Sequence, residues 1–171
     1  HEAVDKETAY VMNKLLQEVI KSGTGTAAQL SNKTVAGKTG TSEDWNDLCF
    51  VGMTEDFVSG VWIGYDTKTE LNTSLSSAQV WYNIIGEYAD SIESDNHYPE
   101  CDDVISAPMC TSTGMIAGDG CPKGITGYWK STNAPYCSNH YSSAPSKDDE
   151  DESSEDESSS EAESSSKPDE S

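Results

Sequence analysis

The residues best suited to chemistry stand together in Val35-Ala36-Gly37-Lys38-Thr39-Gly40-Thr41-Ser42. Gly37-Lys38-Thr39 copies the end of a phosphate-cradling loop, but that loop needs glycine where Asn32 stands, with a strand before it and a helix after. Here a helix precedes and a strand hairpin follows, so the phosphate reading is rejected. The same run suits recognition of a peptide that ends in a free carboxylate and lies antiparallel along a sheet edge. Gly40 has no side chain, so a substrate backbone can approach closely. The Thr39 and Thr41 hydroxyls can hold the terminal carboxylate. Lys38 supplies a positive field and can assist proton traffic near a nucleophile. The Thr41 N–H can point at a developing oxyanion. Ideal alternation puts Lys38 and Gly40 on one face and Thr39 and Thr41 on the other. Both sets reach one site only along an exposed, twisted edge. Trp45, in the adjoining polar run Ser42–Asp47, is a candidate groove residue, because loops beside a rigid scaffold often carry binding.

The elements that must position this run are legible from periodicity. Ala9, Met12, Leu16 and Val19, widened by Leu15 and Ile20, predict a helix over residues 5–22. Asp5 suits its N-cap, Lys21 its last turn, and Gly23 a left-handed cap. Lys33–Thr41 has strand character. Leu48–Met53 and Phe57–Tyr65 read as a hairpin across Thr54-Glu55-Asp56. Ser74–Asp90 returns to helix, with Ala78, Trp81, Ile85 and Tyr88 as its apolar stripe. Trp62, Tyr65, Trp81 and Tyr88 read as core aromatics. The order helix, strand, hairpin, helix predicts an α+β fold with an antiparallel sheet flanked by helices.

The chain has 171 residues and a formal charge of −21, and all its cations are lysines. Without a basic footprint, nucleic acid is excluded as a partner. Residues 147–171 hold twelve acids against two lysines among many serines. This tail is expected to be disordered, since it repels itself and has little to bury. No stretch is apolar enough to span a membrane. The first residue is His1, so the N-terminus reads as a cut, with any membrane anchor upstream.

Glu7-Thr8-Ala9-Tyr10, Gly23-Thr24-Gly25, Val35–Thr41, Phe50-Val51-Gly52 and Gly60-Val61-Trp62-Ile63-Gly64-Tyr65-Asp66 together resemble the C-terminal third of the transpeptidase domain of class A penicillin-binding proteins. The resemblance covers about residues 5–92. It implies the C-terminal part of the serine penicillin-recognising fold, with Lys38, Thr39, Gly40 and Thr41 on the cleft strand. Cys49 departs from the family, which often has an aromatic residue there, and is expected to be a small buried packing residue. The family's nucleophile lies in a Ser-x-x-Lys upstream of this strand, with a Ser-x-Asn element between. The text matches Ser164-Ser165-Ser166-Lys167 and Ser94-Asp95-Asn96 fall after the strand, in the wrong order, and are read as chance.

Past residue 95 the chain becomes loop-rich. Cys101, Cys110, Cys121 and Cys137 are spaced without the paired C-x-x-C knuckles of zinc sites. Cys137-Ser138-Asn139-His140 is a half-match. Disulfides are expected in an extracytoplasmic segment too small to form its own core. Of three pairings, Cys110 with Cys121 and Cys101 with Cys137 is favoured. No metal site and no cofactor is expected, and His97 and His140 read as solvent-facing. The piece from Cys110 to Ala117, with Cys121-Pro122 and Cys137–His140, is similar to the Cys-bearing tails of some Gram-positive-type class A proteins.

Three regions follow: residues 1–94, a partial transpeptidase domain; 95–146, the Cys-containing extension; and 147–171, the acidic tail. The resemblance implies a fragment of a bifunctional glycosyltransferase and D,D-transpeptidase, acting on peptidoglycan stem peptides and trapped by β-lactams. The setting is the outer face of a bacterial membrane, held only through a missing N-terminal anchor. A non-catalytic β-lactam sensor or wall-binding module is the alternative. A D-alanyl-D-alanine carboxypeptidase or β-lactamase relative is the second. The fragment alone is expected to be inactive, and its partners in cell-wall synthesis stay open.

Overall fold

The computed structural model describes residues 3–94 and 98–140. His1, His97, Asp95-Asn96, Ser164–Lys167 and the acidic tail lie outside the described residues. The chain divides after Tyr141, and everything described belongs to the first unit.

Helix α1 (Lys6–Ser22) starts where the Asp5 carboxylate accepts the Thr8 N–H at 2.7 Å. This satisfies one of the unpaired amides of the first turn. Gly23 ends the helix in an extended conformation, φ −104°, and not in the expected left-handed cap. Its role is close approach: a Cβ there would sit 2.9 Å from the Val19 backbone. Strand β1 (Ala36–Thr41) is followed by a single 3-10 turn at Glu43–Trp45, then by β2 (Asp47–Met53) and β3 (Val58–Gly64). The three strands form an antiparallel sheet in the order β1-β2-β3. β1 begins at Ala36, three residues later than its propensity suggested. Helix α2 (Ser77–Ser91) returns across the sheet.

Paired residues share a face, which sorts the sheet into a helix side and an open side. Gly37, Thr39 and Thr41 pair with Gly52, Phe50 and Leu48 on the helix side. There Phe50 and Trp81, both fully buried, meet edge to face at 5.4 Å. Ile20, Ala28, Val35 and Ala78 close the core around them. A Cβ at Gly37 would come within 2.7 Å of the Phe50 ring, and one at Gly52 within 2.8 Å of Trp81. These two glycines are therefore packing requirements.

The open side carries Lys38, Gly40, Cys49, Val51 and Trp62, which corrects part of the expected core. Trp62 is 58% exposed and Tyr88 56%, and Tyr65 is exposed as well. Only Trp81 of the four aromatics is interior. Trp62 lies on the sheet face opposite the helices, over Gly64, with its indole N–H on the Asp47 carboxylate at 3.1 Å. Cys49 is half-buried, not sealed as expected. On α1, Ala9, Met12 and Leu15 face outward, so the apolar stripe is wider than the surface it covers.

The segment after residue 98 is more regular than its composition suggested. β4 (Val104–Cys110) and β5 (Lys123–Lys130) form a second antiparallel pair. It docks on α1: Lys130 reaches the Asp5 carboxylate at 2.9 Å, Lys6 reaches Asp103 at 2.7 Å, and the Tyr10 hydroxyl donates to Glu100 at 2.6 Å.

A polar cluster joins the β2–β3 turn to the segment after α2. The Lys33 ammonium, almost fully enclosed, contacts Asp56 at 3.0 Å and Ser94 Oγ at 2.7 Å. The hydrogen bond from Lys33 holds the Asp56 carboxyl below its ordinary value. A depressed folded-state pKa contributes stability above the unfolded-state value and loses it as pH falls through the folded value. We therefore expect stability to fall on acidification below the ordinary aspartate range. Asp56→Asn should shrink that acid dependence when unfolding is followed by urea titration across pH. A slope unchanged by Asp56→Asn would remove Asp56 from it. Asp5, depressed first by Lys130, adds to the same limb.

Candidate active site

β1 is an edge strand: β2 lies on one side, and among the described residues no strand pairs with the other. The direction of its backbone groups follows from one hydrogen bond. The Ser42 N–H donates to Asp47 O at 3.0 Å, in register with the β1–β2 ladder. N–H and C=O groups of alternate residues point the same way in an antiparallel strand. Gly40 and Lys38 therefore hydrogen-bond toward β2, while the N–H and C=O of Thr39 and Thr41 face the free edge.

The Lys38 side chain is exposed on the open side of the sheet, yet its ammonium donates to Thr39 O at 2.9 Å. That carbonyl projects from the free edge, so the side chain curls around the strand. The alternation that separated Lys38 from the threonines is thereby bridged at the edge. The Thr39 and Thr24 hydroxyls share a hydrogen bond at 2.7 Å. Thr24, Thr39, Thr41, Trp45, Leu48 and Leu75 line an open groove together with Ser74, Ser76 and Ser77.

Trp45 is 60% exposed and belongs to this groove. Asp44 and Trp45 have positive φ, 56° and 52°. Such backbone is unfavourable for non-glycine residues and persists only where surroundings enforce it. Here the Trp45 N–H donates to Ser42 O at 3.2 Å, and Trp45 O accepts the Leu71 N–H at 2.9 Å. The loop that presents the indole is thus fastened from both sides.

Gly40 has a second reason to be bare. A Cβ there would fall 2.5 Å from the Sγ of Cys49, its cross-strand partner. Of the expected site residues, Lys38 and Gly40 lie on β1 without lining the groove, while Thr39, Thr41 and Trp45 share it. Thr24 and Leu75 join them without having been singled out. Thr24 sits between Gly23 and Gly25 just past α1, a clue to a loop but not to its destination.

The cysteines require correction. All five are free. Cys110, Cys121 and Cys137 converge on His140, with their four ligand atoms within 4.8 Å of one another. Cys101 is not among them; it stands with Glu7 and Asp103. The favoured pairing of Cys101 with Cys137 is therefore not made, nor is that of Cys110 with Cys121. His140, expected to face solvent, is half-buried beside the three cysteines. The reason is topological: the residues between the cysteines form the β4–β5 pair, which folds the long intervals back on themselves.

The model of the penicillin binding protein transpeptidase domain matches residues 1–85. Penicillin-binding protein 1A of Pseudomonas aeruginosa is 32% identical over 137 residues, 77% of this chain and 16% of that protein. Penicillin-binding protein 4 of Bacillus subtilis is 47% identical over 60 residues, 35% of this chain and 10% of that protein. The crystal structure of penicillin-binding protein 1A from Haemophilus influenzae superposes with a TM-score of 0.59 at 18% identity. It covers 77% of this chain, which spans 21% of that one. The shared architecture is the antiparallel sheet with helices against it.

Proposed function

Because the chain belongs to the class A penicillin-binding protein family and carries part of its transpeptidase domain, we propose that β1 forms one wall of a serine D-alanyl-D-alanine transpeptidase site in a longer protein. One observation carries this reading: the Lys38 ammonium, the Thr39 carbonyl and the Thr41 N–H meet at one free strand edge, beside a hydroxyl-lined groove.

A peptidoglycan stem peptide adds to that edge as an antiparallel strand. Its terminal carboxylate takes the Thr39 and Thr41 hydroxyls and the field of Lys38. An upstream serine oxygen attacks the penultimate D-alanine carbonyl, and the tetrahedral oxyanion accepts the Thr41 N–H. Collapse breaks the amide, releases D-alanine and leaves an acyl-serine, which a neighbouring stem amine then resolves. β-Lactams carry a carboxylate beside a strained amide and stop at the acyl-enzyme. On this reading residues 1–94 end the transpeptidase domain, 95–146 are an extension and 147–171 a tail. The protein works outside the cell membrane, with an anchor and a glycosyltransferase domain upstream. Its relatives include proteins of Bacillus, Clostridium, Pseudomonas and Neisseria. They do not single out a Gram-positive setting.

These 171 residues hold no Ser-x-x-Lys ahead of Lys38. The chain alone is therefore expected to resist acylation by fluorescent penicillin, while a chain extended upstream to include that serine is labelled. Covalent labelling of the 171-residue chain would place the nucleophile within it and overturn the division of roles. An extended chain with that serine intact that stays unlabelled would favour a wall-binding module.

A further inference from the structure

We propose that Cys110, Cys121, Cys137 and His140 bind one zinc ion in a closed, tetrahedral site that holds the extension together. The four ligand atoms all lie within 4.8 Å of one another. The Sγ atoms of Cys110, Cys121 and Cys137 stand 3.6, 3.6 and 3.3 Å from His140 Nδ1. Zinc–sulfur bonds of about 2.3 Å and a zinc–nitrogen bond of about 2.05 Å at tetrahedral angles place sulfur and nitrogen about 3.6 Å apart. A ring nitrogen makes one hydrogen bond, so three sulfurs at this range are not explained as hydrogen-bond partners. A shared cation satisfies all of them.

The surroundings are built for such an ion. Cys110 ends β4, Cys121 ends the turn before β5, and Cys137 and His140 lie in a tight C-x-x-H segment after β5. Three separate stretches thus supply the ligands. Backbone hydrogen bonds pin them: Cys110 N–H to Met115 O at 2.8 Å, Cys137 N–H to Ile116 O at 2.9 Å, and Ile116 N–H to Pro135 O at 2.9 Å. The Gly118 N–H donates to the Cys121 sulfur at 3.3 Å, as amides commonly do to zinc thiolates. A side chain at Gly120 would collide with the His140 carbonyl, so glycine lets the two ligand turns close.

Energetics point the same way. The buried cluster of the extension consists of the three cysteines, with Ala117 packed against it. α1 holds the Val104–Lys130 end of the β4–β5 pair, whereas Cys110 stands at the opposite end. With so small an apolar core, the tip needs a crosslink, and a four-ligand zinc supplies one. Four protein ligands leave no open position, so the ion is structural and takes no part in acyl transfer. This inference does not depend on the reading of the β1 edge.

The test uses the 171-residue chain purified under reductant without added metal. Elemental analysis is expected to find about one zinc per chain. Cobalt exchanged into the site should show thiolate-to-cobalt charge transfer and the intense visible bands of tetrahedral coordination. Cys137→Ser and His140→Ala should each lower bound zinc to below about a tenth of that. His140→Cys, which keeps four ligands, should retain the ion and strengthen the charge-transfer band. Cys49→Ser and Cys101→Ser should change neither readout. A metal-free chain with a disulfide among residues 110, 121 and 137 would overturn the proposal. So would a cobalt form without tetrahedral bands, or zinc content that Cys137→Ser and His140→Ala leave intact.

Discussion

Lys38→Ala in the complete protein is expected to lower the rate of acylation by fluorescent penicillin by about two to three orders of magnitude, the usual effect of removing one preorganised group facing developing charge. The ammonium is the charged member of the β1 edge, fixed on Thr39 O beside the outward-facing Thr41 N–H. On the proposed reading its field acts on the ligand carboxylate and on proton transfer at the serine, so both capture and chemistry should suffer. Thr41→Val should do less, about tenfold, because it removes one hydroxyl contact and keeps the backbone N–H. Lys68→Ala, on an exposed loop, serves as the control. The readout is the second-order labelling rate from a time course at several penicillin concentrations. Undiminished labelling of Lys38→Ala would remove that residue from the site and with it the reading of the edge.

Trp81→Ala should abolish cooperative folding of this chain. The indole is fully buried, meets Phe50 edge to face, and donates to Ser59 Oγ at 2.7 Å. Truncating a buried tryptophan costs about 3–5 kcal/mol, from lost burial and the cavity left behind. Ser59 also loses its partner. The buried cluster around it is only Ile20, Ala28, Val35, Phe50 and Ala78, so the loss removes the centre of that core. Near-ultraviolet circular dichroism during a urea titration should show a low-urea transition for the native chain and no folded baseline for the variant. Trp62→Ala, whose indole lies on the open face, should move the midpoint far less. A Trp81→Ala chain that keeps a native-like transition would show that the sheet does not depend on this contact.

The helices and the three-stranded sheet were readable because each obeys a local rule. A 3.6-residue stripe marked both helices, and the hairpin was bounded by a polar turn that closes with the Thr54 N–H on Phe57 O at 2.9 Å. The Lys-Thr-Gly run was readable as an exposed strand, and the structure adds that it is an edge around which the Lys38 side chain reaches. What periodicity could not say was which apolar residues find a partner. Trp62 and Tyr88 have the composition of core residues, but burial depends on whether another element crosses their face. Trp81, on the same kind of pattern, is sealed only because Gly52 and Phe50 stand opposite it.

The sequence by itself determined the α+β order, the strand bearing Lys38, Thr39 and Thr41, and the excess of negative charge, since these follow from residue types and near-neighbour spacing. Only the tertiary structure decided that Lys38 reaches around its strand, that Thr24 and Trp45 share a groove with Thr39, and that Cys110, Cys121 and Cys137 gather on His140 while Cys101 stands aside. The physical reason is the same in each case. Spacing along a chain constrains neighbours within a turn or a strand, whereas side chains 11 to 30 positions apart meet only where backbone pairing folds the intervening residues away.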